Sequence, residues 1–203
     1  MAASAVRTFQ LVAGHPALDF VNTLDWRFRE GSPAELLESY GDLLGFVEQA
    51  ELLTAKQVRQ IERTASANAT TRALKECREL REAMADVFYA HLDGYRGSSA
   101  ALATLERNFK AARTSQRLVE SRLEVRWDWA GKETEPEFPL WLLALEAQEL
   151  MLSNDAEGVR ACDSPECRWL FLDTSKNHTR RWCDMKVCGN RMKARRFKAQ
   201  RRG

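Results

Sequence analysis

The stretch that decides the fold is Cys162 to Cys188, CDSPECRWLFLDTSKNHTRRWCDMKVC. Its four cysteines form two C-x4-C pairs, Cys162 with Cys167 and Cys183 with Cys188, separated by 15 residues. Two short cysteine loops joined by an excursion of that length are the spacing of a tetrahedral four-cysteine zinc site. A short loop brings two thiolates to one ion, and the intervening chain folds back to deliver the other two. The competing reading is a pair of disulfides or unrelated buried thiols. The first 16 residues contain no apolar run behind a basic start, so they do not read as a secretory signal, and a reducing, cytoplasmic setting disfavours disulfides. His178 could replace a thiol, but four cysteines already complete the shell. Four thiolates also leave no open position for a catalytic water, so one structural Zn2+ is expected.

Charge divides the chain at the same place. The whole of the 203-residue chain carries a net +2, a value that suggests indifference to polyanions. Residues 1–159 hold 18 basic and 25 acidic side chains, a net of −7, and residues 160–203 hold 13 and four, a net of +9. The average conceals a basic module attached to an acidic body. After Cys188 the sequence GNRMKARRFKAQRR reads as a basic helix. At 100° per residue, Arg191, Arg195, Lys198 and Arg202 fall within about 60° of one another, a row of cations suited to backbone phosphates. Arg180, Arg181 and Lys186 add charge nearby. Asn190, Ala194 and Phe197 lie on a different side, where they could pack on the finger. The bland alternative is a solvated basic tail.

Upstream, the periodicity is helical almost throughout. Helices are expected over residues 17–28, 36–50, from an N-cap at Thr54, over 71–92, and from Ser98 or Ser99 to 112. His91 and Cys77 lie on the apolar stripe of the longest and are read as packed residues. Two strands are expected at 117–119 and 123–129; in the second, Leu123, Val125, Trp127 and Trp129 alternate with polar neighbours, the pattern of a half-buried strand. Residues 138–152 are apolar nearly all round, which marks the central buried helix of the body. Carrying Glu146 and Glu149 in about 15 residues, this helix is no membrane span. Residues 154–158 read as a linker, 169–172 as a strand and 178–182 as its returning partner. The fold class is therefore mostly α with a small β-hairpin: a helical N-terminal domain, residues 1–158, followed by a treble-clef-like four-cysteine finger, residues 159–203.

On the first helix, Asp19, Asn22 and Trp26 share one face, with His15 before them and Arg27 after. Polar groups within an apolar stripe suit an oriented ligand pocket; capping and interhelix hydrogen bonding are the bland reading, and the favoured one. There is no catalytic metal pair, no glycine-rich phosphate loop and no G-x-S-x-G, so the chain does not read as an enzyme.

The four cysteines together with Gly189-Asn190-Arg191 resemble the CGNR zinc-finger family of bacterial regulators. The stretch LDFVNTLDWR, residues 18–27, resembles the ABATE domain that precedes that finger. The resemblance implies a stress-induced transcription regulator, with the finger on DNA and the ABATE domain sensing a small molecule of unknown identity. In that pattern Gly189 permits a tight start of the helix, Asn190 hydrogen-bonds within the knuckle and Arg191 reaches a phosphate, or both side chains brace the finger. The alternative is a zinc-dependent protein-interaction module or an RNA-binding protein. A homodimer would enlarge the small footprint of one finger.

Overall fold

The computed structural model describes residues 7–31, 33–129 and 131–201, which leaves Arg202 outside the described residues. Seven α-helices and three two-stranded antiparallel ribbons succeed one another among them. The helices begin where side chains can satisfy their free N–H groups. Ser39 caps α2 (Tyr40–Gln49) reciprocally with Asp42, and Thr54 caps α3 (Ala55–Thr64) with Gln57. Ser66 caps α4 (Ala67–Leu92), which starts four residues before the periodicity suggests, and Ser98 caps α5 (Ser99–Thr114). The apolar helix α6 (Phe138–Leu152) has the expected limits and packs against α2, α4 and α5. Cys77 is fully buried, whereas His91 is exposed at the end of α4. No helix is long and apolar enough to cross a membrane among the described residues.

The first helix departs most from expectation. Instead of residues 17–28, α1 covers only Pro16–Val21, with Pro16 at a position where no backbone donor is needed. The chain then turns into β1 (Leu24–Asp25), paired with β2 (Ala34–Glu35), and Trp26 adopts a left-handed φ of 54° that no continuing helix permits. The ribbon β3 (Arg117–Ser121) and β4 (Glu124–Asp128) forms as expected but is not half-buried. Val125 and Trp127 are more than half exposed and Leu123 is fully so. Their alternation defines a face that nothing among the described residues covers; Trp129, beyond the strand, packs inward, against Phe138 and Trp141.

Residues expected as a linker instead form an ordered 3-10 turn, Asn154–Gly158, packed against α6. It leads into β5 (Val159–Ala161), which pairs with β6 (Leu170–Leu172). The partner of the 169–172 strand is therefore the preceding segment, not residues 178–182, and the first cysteine pair sits in the loop of that ribbon. Leu170 and Phe171 are fully buried in the same apolar cluster as α1, α4 and α6. The short finger thus shares the body's core rather than building its own, which suits a segment too small to bury one.

Candidate metal centre and nucleic-acid interface

The two knuckles converge on one point. All four cysteine sulfurs lie within 4.8 Å of one another, and all four residues are buried. Cys167 Sγ is 3.6 Å from Cys183 Sγ, which is 3.7 Å from Cys188 Sγ. Sulfurs bound tetrahedrally at about 2.3 Å from one zinc lie about 3.8 Å apart, whereas a disulfide needs about 2.05 Å. The donor set therefore fits zinc and not a pair of disulfides. Among the four adjoining thiols, hydrogen bonds from Cys167 and Cys183, assisted by the backbone amides of Cys183 and Ser164, pull Cys162 below its ordinary pKa. The same crowding pushes Cys167 and Cys183 up, and burial with that crowding pushes Cys188 up. Backbone N–H groups aimed at sulfur stabilise thiolate, the form a metal requires. His178 stays outside the group, its Nδ1 3.1 Å from the Asp173 carbonyl. The site is consistent with one structural zinc ion; no open position remains at which that ion could activate water.

The second knuckle is a single π-helical turn, Met185–Gly189, whose first amides, those of Lys186 and Val187, are capped by Asp184. It feeds directly into α7 (Asn190–Gln200). Gly189 allows a close approach: a Cβ there would displace the Met185 thioether and stand 3.2 Å from the Trp182 ring. Asn190 Nδ2 donates to the Lys186 carbonyl at 3.1 Å, bracing the knuckle.

The basic residues sort into distinct surroundings. Arg180 is folded inward: its guanidinium lies 4.3 Å from the Phe171 ring centroid and donates to the carbonyls of Trp182, Val12 and Cys183. Arg181 pairs with Asp163 at 2.5 Å and Arg195 with Glu166 at 2.7 Å. Arg191 is half-buried, 5.1 Å from the centroid of Trp26. The helix thus turns its 191–195 side toward the body, opposite to the expected packing, while Asn190, Ala194 and Phe197 are exposed. Lys186, Lys193, Arg196 and Lys198 are exposed, with no carboxylate within ion-pair distance among the described residues.

The proposed ligand-contacting residues of the first helix are engaged within the protein. Asn22, buried, accepts from the Leu170 N–H and donates to the Leu170 C=O, both at 2.9 Å, so its amide imitates a neighbouring β-strand across 148 residues of sequence. Asp25 accepts from Trp169 Nε1 at 2.9 Å. His15 caps α1 through Nδ1, and burial lowers its pKa. Arg27 pairs with Glu82. Missing from the sequence reading is Arg81, 2% exposed, which grips Glu35 with two bonds of 2.6 Å and also reaches Thr23. No local pattern singles out an arginine whose partner lies 46 residues away.

Asp19 accepts from the Val12 and Ala13 amides at 3.0 Å each, yet burial outweighs these bonds and pushes its pKa up to about 6. A folded pKa above the ordinary value near 3.8 means that the group stabilises the fold fully at acid pH. That contribution, roughly 3 kcal/mol for such a difference, is lost as pH rises from about 4 through 6. Asp19→Asn keeps an acceptor oxygen without the charge. Its urea midpoint, relative to the parent chain, is expected to be higher at pH 8 than at pH 4.5; an equal difference at both would refute the assignment.

A four-cysteine metal finger ending in a basic helix, and built onto a helical body, defines a class of zinc-finger protein. The family comparisons agree with it: the CGNR zinc finger matches residues 159–201, and ABATE, described as "Putative stress-induced transcription regulator", matches residues 14–154. The second match spans 141 of the 203 residues, and the chain belongs to the ABATE family. No curated protein matches it.

Proposed function

We propose that the protein is a transcription regulator that binds DNA through the solvent side of α7 and its preceding knuckle, with the helical body sensing a small molecule. The observation that carries this reading is the exposed set Lys186, Lys193 and Arg196, held on the metal-anchored knuckle and helix without carboxylate partners among the described residues, with Lys198 exposed farther along the Arg191–Arg195 row. Free cations on a rigid support can replace the counterions of DNA phosphates at little ordering cost. Arg191 and Arg195 flank this set, Arg195 through an exposed ion pair that a phosphate can displace. The acidic body repels DNA and confines contact to the finger.

The test is binding of a random-sequence DNA duplex across a salt series. Lys193→Ala with Arg196→Ala is expected to weaken binding about tenfold or more and to flatten the slope of log K against log salt by roughly 1.8, the share of two phosphate contacts. Zinc content should be unchanged. Unaltered affinity would exclude this face. The exposed Met185, Val187 and Phe197 favour a second reading, a protein partner, which salt-insensitive binding of a protein and none of DNA would support.

A further inference from the structure

One cavity has none of the residues proposed for ligand contact on the first helix in its lining. It has a volume of about 860 Å3 and opens between α4, α5, α6 and the start of β5. Its lining is mainly apolar, drawn from Val87, Phe88, Leu105, Phe109, Met151 and Val159. Such a volume accommodates a small organic molecule, whose orientation would be set by a few polar groups at the rim.

Those groups are unequal in charge. Lys110 is neutralised by Glu106 one turn away. Arg113 donates through Nε to Gln148, and Arg160 through one nitrogen to the carbonyls of Glu157 and Val159. Neither guanidinium pairs with a carboxylate among the described residues, and each keeps N–H groups without a protein partner there. Glu157 contributes the remaining carboxylate, so two available guanidiniums stand against one acid. A guanidinium fork matches a carboxylate in shape as well as charge.

We infer that this cavity binds an amphipathic monocarboxylate, its apolar body between α4, α5 and α6 and its carboxylate on Arg113 and Arg160. The inference deepens the sensing half of the proposed function and rests on it only for its consequence. Arg160 belongs to β5, and the chain runs from that strand through Ala161 directly into Cys162, the first metal ligand. A ligand held by Arg160 would therefore bear on the strand that feeds the metal site.

The probe is dodecanoate below its micellar concentration, titrated calorimetrically into the zinc-loaded full chain, with dodecyltrimethylammonium as the cationic counterpart. Saturable binding of one dodecanoate per chain is expected, weakened about tenfold by Arg113→Ala or Arg160→Ala, and by Leu102→Trp, which obstructs the exposed rim. Equal binding of the cation would overturn the inference. So would unchanged affinity in both arginine variants, no saturable binding, or a concentration-dependent dimer that dodecanoate does not dissociate and whose contact covers the cavity. The effect of dodecanoate on DNA affinity is read separately. Binding without any change on DNA would uphold the carboxylate site and remove the sensing role.

Discussion

Cys183→Ser is expected to abolish stoichiometric zinc and unfold the finger. Cys183 is in contact with sulfurs from both knuckles, 3.6 Å from Cys167 and 3.7 Å from Cys188, so its loss opens the shell rather than trimming an edge. A serine hydroxyl remains protonated at neutral pH and is a poor substitute for thiolate. Structural zinc contributes roughly 10–16 kcal/mol in small finger peptides, and a finger too small for its own core has little to replace it. The 11-residue α7 is shorter than the length at which an isolated helix persists in water, so it should melt with the metal site. Metal per chain is expected to fall from about one to well below it, with a matching loss of helical circular dichroism. Because β6 completes the body's core, the body's melting temperature should fall as well. Retained zinc and unchanged helicity would refute the four-thiolate site.

The metal centre was legible because its information is local. Cysteine spacing specifies the knuckles, and nothing distant is needed to interpret it. The limits of α6 were legible for a similar reason: Pro139 favours a helix start, and an all-round apolar surface is its own signal. The errors share the opposite cause. The first helix looks continuous to Phe28 because Leu24 and Phe28 extend its apolar period, but Trp26 turns left-handed and Asn22 is committed to Leu170 in the finger. Likewise, alternation in β4 shows that its residues have two faces, while burial depends on whether another element arrives. The orientation of α7 was missed because helical angles group residues without saying which group meets the body. There, Trp26 offers an aromatic face to Arg191, a pairing set by tertiary structure alone.

Asn22 separates the two meanings of the LDFVNT stretch. If it is a joint, Asn22→Ala leaves the Leu170 N–H and C=O buried without partners. At about 1–3 kcal/mol for each orphaned group, the cost is roughly 2–6 kcal/mol, a large share of the 5–15 kcal/mol that stabilises a typical domain. Asn22→Asp should not rescue it: one oxygen can still accept from the Leu170 N–H, but the other then faces the Leu170 carbonyl, placing two acceptors together in a buried site. Both variants are expected to lower the urea midpoint. They should also speed zinc loss to a chelator, since β6 leaves the Cys162–Cys167 knuckle and is held to the body by this amide. A residue that served only to contact a ligand would show the reverse pattern, unchanged midpoint and unchanged zinc release. Normal stability in Asn22→Ala would therefore remove the joint and return this face to ligand binding. The expected loss would make the stretch the seam through which the body sets the position of the finger.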